Sequence, residues 1–294
     1  MSAEPVKVAG VAISNPDKIW WPDEGLTKSD VARFYDEIWT HVAPWMRDRP
    51  LTAERCPDGM LGPCFYRKDF PEHWQPAGPR LVVKAASTGK DVRYIVGGTR
   101  ETLVGMVNLG CISIHVMTAR AKDLESVDWL AFDMDPPGDF ADAARAGLAL
   151  RTLLDEAGLV SYPKTSGSRG LHIFVPMRAG VRPHQATAVA VALGQELARR
   201  EPKVVTVEFS KAKRGQRVFA DAMRNAYGQT IVAPYSVRRR AHAPVSTPLA
   251  WDEVTPRLDP AVFNMRTFDK RLAIKDPWSD FWRRRQALPK NLAT

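Results

Sequence analysis

The sequence predicts an α+β fold in which helices flank a mixed or mainly antiparallel central sheet. Strand-like runs and helical runs follow one another irregularly, without the repeating strand–helix–strand order of parallel α/β proteins. Hydrophobic residues make up 45% of the 294 residues, which is enough to form a packed core. No linker-like change in composition divides the chain. We therefore expect one domain over residues 1–294, with a bilobed shape left open.

The first half of the chain predicts one helix and several strands. Thr27 is typical of a helix N-cap, with Asp30 completing a capping box, and apolar spacing continues the helix to about Pro44. Short β-branched runs bounded by glycine then predict strands. These strands cover residues 92–96, 103–107 and 111–117.

The second half combines further strands with two long helices. A strand over residues 129–135 stops at a Pro-Pro pair, and Asp139 caps a helix that ends near Gly158. A further helix covers residues 183–200. The remaining predicted strands cover residues 160–165, 171–176, 204–209 and 217–221.

Charge and cysteine content limit the class of protein. The formal net charge is +9, which suits a polyanionic partner such as nucleic acid or an acidic membrane surface. The N-terminus has no apolar signal-peptide region, and the least charged stretch contains Asn108 and His115, which argues against a membrane span. Cys56, Cys64 and Cys111 form no CxxC pair. Three buried thiols in a reducing compartment are therefore expected, rather than a zinc site or a disulfide framework.

Three aspartates at strand ends are the first candidate site. Asp133 and Asp135 alternate with apolar residues and so share one face of their strand. Asp221 ends a later apolar strand in the same way. Neighbouring carboxylates repel one another unless a cation lies between them, and Mg²⁺ and Mn²⁺ prefer oxygen ligands. Taken one at a time, these aspartates are also compatible with solvated turns or helix caps.

A Ser/Gly-rich turn over residues 164–172 is the second candidate site. Small residues let the backbone approach a phosphate, while Ser166, Arg169 and His172 supply hydrogen-bond donors. An ordinary hairpin turn with a buried histidine is the alternative interpretation. The turn does not match a P-loop, and no GxGxxG segment opens a helix elsewhere. A basic run follows at residues 238–240, and we expect Arg239 to lie on a solvated face.

The order of these motifs resembles the polymerase domain of bacterial ATP-dependent DNA ligase D, a member of the archaeo-eukaryotic primase superfamily. The matching segments cover nearly the whole chain and include Arg224 and Asn225. They are residues 15–18 (NPDK), 49–52 (RPLT), 55–59 (RCPDG), 132–136 (FDMDP), 165–172 (TSGSRGLH), 217–221 (RVFAD), 234–238 (PYSVR) and 245–249 (VSTPL). The resemblance implies a primase-like fold.

The resemblance also implies roles for individual residues. Asp133, Asp135 and Asp221 would hold two divalent metal ions, Mn²⁺ or Mg²⁺. The nucleotide-binding residues would be His115 near the sugar and, at the triphosphate, Ser166, Arg169, His172 and Arg238. Family members often carry lysine at the position of Arg169, so its contacts differ in geometry.

Four residues correspond to the family's DNA contacts. Lys18 and Lys28 match lysines that grip a 5′-phosphate at a gap. Phe65 and Tyr66 match an aromatic pair that stacks on the template.

The function implied is template-dependent nucleotide addition at DNA breaks or short gaps, from NTP or dNTP, in non-homologous end joining. Neither a ligase motif nor a nuclease module is found in these 294 residues. A stand-alone bacterial enzyme at the nucleoid in the cytoplasm is therefore expected, with Ku and a separate ligase as partners and no membrane association. The alternatives are a stand-alone primase-polymerase for excision-repair gap filling or replication restart, a metal-dependent phosphodiesterase, and a non-catalytic DNA-end binder.

Overall fold

The computed structural model describes residues 5–71, 73, 78–85 and 89–289. The chain forms two compact units. Unit 1 consists of Met1–Met117 and Val232–Pro244, and unit 2 consists of Thr118–Ile231 and Val245–Thr294. Among the described residues, no helix combines the length and the apolar character needed to cross a lipid bilayer.

Unit 1 contains short hairpins, a larger sheet and three helices among its described residues. Its strands are β1 (Lys7–Val8), β2 (Val11–Ala12), β3 (Ile19–Trp21), β4 (Leu26–Thr27), β5 (Pro50–Arg55), β6 (Phe65–Arg67), β7 (Arg80–Lys84), β8 (Asp91–Val96) and β9 (Cys111–Met117). Its helices are α1 (Lys28–Glu37), α2 (Trp39–Met46) and α3 (Arg100–Asn108). The sheet has the antiparallel order β9-β5-β8-β7, and β6 also pairs with β5.

The helices of unit 1 correct two predictions. The predicted capping box is present, since Asp30 N donates to Thr27 Oγ1 (3.2 Å) and Thr27 N donates to Asp30 Oδ2 (2.8 Å). The helix that follows is divided at Ile38 rather than continuous to Pro44. The strand predicted over residues 103–107 is wrong because this segment lies within α3. A short apolar run fits a buried helix as well as a strand, and the N-cap at Thr99 decides for the helix.

The cysteines also differ from the prediction of three buried thiols. Cys111 is a buried free thiol, as expected. Cys56 and Cys64, however, form a disulfide with their Cα atoms 4.4 Å apart. Their separation of eight residues closes a small loop that the sequence pattern did not reveal.

Unit 2 contains a mixed sheet and two long helices. Its strands are β10 (Ala119–Arg120), β11 (Asp123–Val127), β12 (Trp129–Asp135), β13 (Tyr162–Thr165), β14 (Leu171–Pro176), β15 (Val205–Thr206) and β16 (Val218–Asp221), and β17 (Thr230–Val232) ends as the chain returns to unit 1. The helices are α4 (Phe140–Glu156), α5 (Pro183–Arg200), α6 (Lys211–Arg214) and α7 (Phe268–Leu272). Short 3₁₀ turns cover Met223–Asn225, Pro260–Val262 and Phe281–Arg283.

The sheet of unit 2 separates an apolar face from a mixed face. Its order is β13-β14-β12-β16-β15, antiparallel except for the parallel pair β15–β16. Leu130, Phe132 and Met134 alternate onto one face and are buried in a hydrophobic core with α4 and α5. Asp133 lies on the other face because successive strand residues point to opposite sides.

Candidate active site

A row of four polar residues crosses the sheet of unit 2 from strand to strand. Lys164 on β13 pairs in register with His172 on β14, His172 pairs with Asp133 on β12, and Asp133 pairs with Asp221 on β16. We call these four residues the polar rung. All four side chains belong to buried residues. The rung brings together three of the sequence-predicted residues, and adds Lys164.

Short contacts connect the polar rung. Lys164 Nζ lies 2.9 Å from His172 Nδ1, and His172 Nε2 lies 3.2 Å from Asp133 Oδ1. Arg224, in the turn after β16, joins the last two members. Its Nε lies 3.1 Å from Asp221 Oδ2 and 3.6 Å from Asp133 Oδ2. The single positive charge of the guanidinium therefore reduces the repulsion between two carboxylates.

Asp135 lies two residues beyond Asp133, at the exposed end of β12. Desolvation, followed by the negative charge of Asp133, raises the pKa of Asp135 to about 7, although the Arg224 guanidinium opposes this change. A carboxylate cluster with such a raised pKa is a place where positive charge binds favourably.

The turn after β16 fixes the position of Asp221. Met223 N donates to Asp221 Oδ1 (2.8 Å). Asn225, which is fully buried, bonds both sides of one residue of β12: its Oδ1 accepts from Ala131 N (2.7 Å), and its Nδ2 donates to Ala131 O (2.8 Å). The side-chain amide thus fastens the turn to the strand that carries Asp133.

The Ser/Gly turn between β13 and β14 is closed around Ser166. Its hydroxyl oxygen accepts from Ser168 N (3.2 Å) and Gly170 N (3.1 Å). These amides therefore organise the turn, instead of being free to bind an anion as the sequence suggested. Gly170 is required because an added Cβ would lie 2.8 Å from Met134 O. Arg169 is exposed on the turn.

The three aspartates suit a divalent metal ion in their chemistry. Asp133, Asp135 and Asp221 offer the carboxylate oxygens that Mg²⁺ and Mn²⁺ prefer. Within the described part of the chain, no group of three or more His, Cys, Asp or Glu side chains is already arranged to hold a metal. Arg224 supplies the positive charge between two of the carboxylates. A metal bound to both would take over that role from the guanidinium.

Unit 1 carries the two lysines predicted to bind a 5′-phosphate. Lys18 and Lys28 lie at neighbouring positions because Lys28 N donates to Lys18 O (2.9 Å). Lys28 Nζ donates to Ser14 O (2.7 Å), and Lys18 Nζ lies 2.5 Å from Asp58 Oδ1. Desolvation, together with the positive charges of Lys18 and Arg55, lowers the pKa of Lys28 to about 8.

The aromatic pair and the predicted sugar-binding histidine also lie in unit 1. Phe65 and Tyr66 are exposed on β6, with 42% and 61% of their surface accessible. Adjacent strand residues face opposite sides. Accordingly, Tyr66 meets the edge of the His115 ring (centroids 5.3 Å apart), while Arg55 lies over Phe65 at 5.8 Å. A template base can therefore stack on only one of the pair from a given side.

The basic segment after β17 differs in part from its sequence interpretation. Arg238 is half-buried, and its backbone N–H donates to Pro244 O (2.8 Å). Arg239, expected on a solvated face, instead donates from Nε to Glu54 Oε1 (2.8 Å). The prediction for Arg239 is wrong because Glu54, remote in sequence, is partly desolvated on β5.

Sequence reasoning overlooked three residues of these clusters. Arg224 and Lys164 stood inside quoted motifs without a role, and Asp58 stood in the segment 55–59. The signal for Lys164 was a lysine inside a predicted strand, on the same face as Tyr162. No comparable local signal pointed to the pairing of Arg224 with Asp133 or of Asp58 with Lys18, since these contacts depend on the tertiary fold.

Comparisons with known proteins identify relatives of this chain. Residues 27–278 match the family described as the primase-polymerase domain of LigD. The chain is 32% identical over 276 residues to the multifunctional non-homologous end joining protein LigD of Mycolicibacterium smegmatis, covering 92% of this chain and 35% of that protein. It is 32% identical over 288 residues to LigD of Pseudomonas aeruginosa, covering 95% and 34%.

A solved structure is similar over almost its full length. The polymerase domain from Mycobacterium tuberculosis ligase D in complex with DNA has a TM-score of 0.84 and 28% identity, covering 94% of this chain and 99% of that one. The predicted α+β fold with mixed sheets is thereby confirmed. The chain spans about a third of the length of the LigD proteins it matches. It belongs to the LigD primase-polymerase domain family, a family of nucleotidyltransferases.

Proposed function

We propose that this chain adds nucleotides, under the direction of a template, to DNA ends and short gaps that carry a 5′-phosphate, in bacterial non-homologous end joining. The observation that carries the proposal is the polar rung, which places Asp133 and Asp221 side by side and His172 against Asp133. Phosphoryl transfer depends mainly on alignment and charge neutralisation, and a cluster of carboxylates beside donors of hydrogen bonds serves both.

Asp133, Asp135 and Asp221 are the proposed ligands of two divalent metal ions, Mn²⁺ or Mg²⁺. Such ions, when bound, activate a primer 3′-hydroxyl and stabilise the departing pyrophosphate. The backbone contact of Met223 with Asp221 and the register of β12 with β16 keep two of these carboxylates adjacent. The chain's own contribution is therefore to hold the acidic groups in a fixed order before the substrate arrives.

Five residues are the proposed nucleotide contacts. In unit 2, Ser166, Arg169 and His172 bind the triphosphate: Ser166 shapes the turn, Arg169 extends from it into solvent, and His172 presents Nε2 beside Asp133. In unit 1, His115 binds near the sugar and Arg238 contributes positive charge to the triphosphate. These assignments follow the resemblance of their motifs to the family.

The proposed DNA contacts lie in unit 1. Lys18 and Lys28 bind the 5′-phosphate, since an ammonium group carries three donors and no acceptor, and those donors not used by Asp58 and Ser14 remain for the phosphate. Phe65 and Tyr66 stack on template bases, which tolerates any sequence because every base has an aromatic face. Their exposure is consistent with this role.

The proposed partners are gapped or broken DNA, NTP and dNTP, and the end-joining proteins Ku and an ATP-dependent DNA ligase at the bacterial nucleoid. This assignment rests on the LigD relatives, whose names place them in non-homologous end joining. Within the family, excision-repair gap filling and replication restart are the competing pathways.

The decisive experiment is extension of a primer on a gapped duplex. The panel compares dNTP with NTP, Mg²⁺ with Mn²⁺, and a 5′-phosphate with a 5′-hydroxyl at the far side of the gap, and it includes a primer-free template. We expect templated addition that requires metal and is stronger with the 5′-phosphate. Loss of labelled ends without nucleotide would indicate a phosphodiesterase, and DNA binding without either reaction would indicate an end binder. Either result would overturn the proposal.

A further inference from the structure

Lys164 is a fully buried lysine at one end of the polar rung. It has no accessible surface, although it carries a charged group that strongly prefers water. The Lys164 side chain lies on the same face of the sheet as Asp133, across β14 from it. Buried lysines are costly unless their donors are satisfied, so the partners of this group indicate what it does.

Two hydrogen-bond partners of the Lys164 ammonium are identified. Nζ lies 2.5 Å from Ser246 Oγ and 2.9 Å from His172 Nδ1. It also lies 5.7 Å from the centre of the Phe174 ring, within the range of a cation–π interaction. The ammonium is thus held between one hydroxyl, one imidazole nitrogen and one aromatic face.

The hydroxyl of Ser246 has a defined orientation. Ser246 Oγ donates to Thr165 O (2.7 Å), which uses its only proton, so it accepts from Lys164. The segment that carries Ser246 is fastened to β13 by backbone bonds, since Thr165 N donates to Thr247 O (2.9 Å) and Leu249 N donates to Pro163 O (2.8 Å). These bonds give the segment 245–249 a structural role, because they hold Ser246 beside Lys164.

The hydrogen-bond roles fix the tautomer of His172. An ammonium has donors only, so Nδ1 of the neutral ring accepts from Lys164. The ring proton then lies on Nε2, which is 3.2 Å from Asp133 Oδ1 and so places its positive end beside the carboxylate. With the proton on Nδ1 instead, two donors would face each other at 2.9 Å, and Nε2 would present a lone pair to a carboxylate.

We propose that Lys164, held by Ser246, is a positioning residue that keeps the proton of His172 on Nε2 and directs it toward Asp133 and the phosphates of the incoming nucleotide. This inference rests on the proposed function. Lys164 contacts His172 at Nδ1, and Asp133 lies beside Nε2 of the same ring. It acts through the histidine, in the way that outer partners of a site orient the residues that bind.

The first test reads the tautomer directly, without activity. Two-bond ¹H–¹⁵N correlation spectra of the nucleotide-free protein distinguish a protonated ring nitrogen from a bare one. The signals of His172 among the six histidines are assigned by their loss in His172→Gln. We expect the proton on Nε2 in the wild type and a mixture of tautomers in Lys164→Met. A wild-type proton on Nδ1, or an unchanged spectrum in Lys164→Met, would overturn the proposal.

The second test measures gap filling with Lys164→Met, and with Lys122→Met as a control for loss of an exposed lysine. We expect kcat/KM for the nucleotide to fall about 10- to 100-fold in Lys164→Met, as for other partners of site residues, and to stay unchanged in Lys122→Met. A folded Lys164→Met protein with normal kcat and KM would contradict the proposal. If Lys164→Met fails to fold, Ser246→Ala replaces it, and the same spectral change and a smaller loss are expected. If the wild type adds no nucleotide, the proposed function fails, while the spectrum still decides the role of Lys164.

Discussion

The polar rung of unit 2 and the pair of lysines Lys18 and Lys28 in unit 1 differ in how far their charged groups are exposed to water. In unit 2, Lys164 is enclosed in the polar rung, and its hydrogen bonds to Ser246 and His172 leave little freedom. In unit 1, Lys18 is open to water and bonds an exposed carboxylate, while Lys28 is covered but keeps a pKa of about 8. Burial fixes geometry at a cost in desolvation, whereas partial exposure keeps charge adjustable. A buried and fixed lysine such as Lys164 suits the positioning of other side chains. The less enclosed pair Lys18 and Lys28 suits the binding of a charged ligand.

The largest expected effect comes from removing a carboxylate of the polar rung. Asp221→Ala should lower nucleotide addition at least about a thousandfold, because charge stabilisation by such groups is the main contribution to phosphoryl transfer. The affinity for gapped DNA should change little, since the proposed DNA contacts are in unit 1. Primer extension and fluorescence anisotropy measure the two properties. A variant that still extends primers at the normal rate would refute the metal-ligand assignment.

Removing Lys18 and Lys28 should give the reverse result, with weaker DNA binding as the main effect. Lys18→Met combined with Lys28→Met should weaken binding of gapped DNA with a 5′-phosphate about 10- to 100-fold, which corresponds to a total loss of about 1.5–3 kcal/mol in charged hydrogen bonding. Binding of the matching 5′-hydroxyl duplex is the control. Equal weakening on both duplexes would show that the two lysines attract DNA in general and do not recognise the 5′-phosphate.

A pH dependence separates the two clusters further. The pKa of Lys28 is lowered to about 8, so the ammonium group is about half protonated at pH 8. A bound phosphate favours the charged form of this group. Affinity for the 5′-phosphate should therefore be highest below pH 8 and fall about three- to tenfold between pH 7 and 9. Lys28→Arg keeps its charge over this range and should flatten the profile. A wild-type profile that is already flat would show that Lys28 does not bind the phosphate.

The smallest effect is expected at Asp58. Its carboxylate is the partner of Lys18, so a 5′-phosphate must compete with it. Asp58→Asn should strengthen binding of the 5′-phosphate duplex about two- to fivefold, in keeping with the small energies of exposed ion pairs. Titration at low and moderate salt measures the change. Weaker binding in this variant would mean that Asp58 orders the lysine instead of competing for it.

Local sequence patterns were sufficient for part of this site. Strand alternation and strand ends predicted that Asp133, Asp135 and Asp221 form one acidic site, whereas the closeness of His172 to Asp133 depends on the pairing of β14 with β12. The ionic partners Arg224 and Asp58 escaped because their contacts depend on how remote segments meet. The segment 103–107 was predicted to be a strand although it lies in α3, because five residues are too few to distinguish the periodicity of a helix from that of a strand. Thr99 and the glycine after α3 carried the information that the apolar run lacked.

Asn225 has a consequence for how the site can be altered. The ladder between β12 and β16 ends at the pair of Asp133 and Asp221, and the next residue of β12 available for pairing is bonded by an amide side chain instead of a strand. Aspartate has almost the same shape as this amide, yet it would set an acceptor against Ala131 O and Ala222 O, both of which now receive a donor. The position of β12 against this turn therefore depends on which atoms of the Asn225 side chain donate and accept hydrogen bonds, and not on the size of that side chain. A single isosteric exchange at Asn225, the residue after Arg224, would therefore loosen the alignment of β12 with the turn after β16.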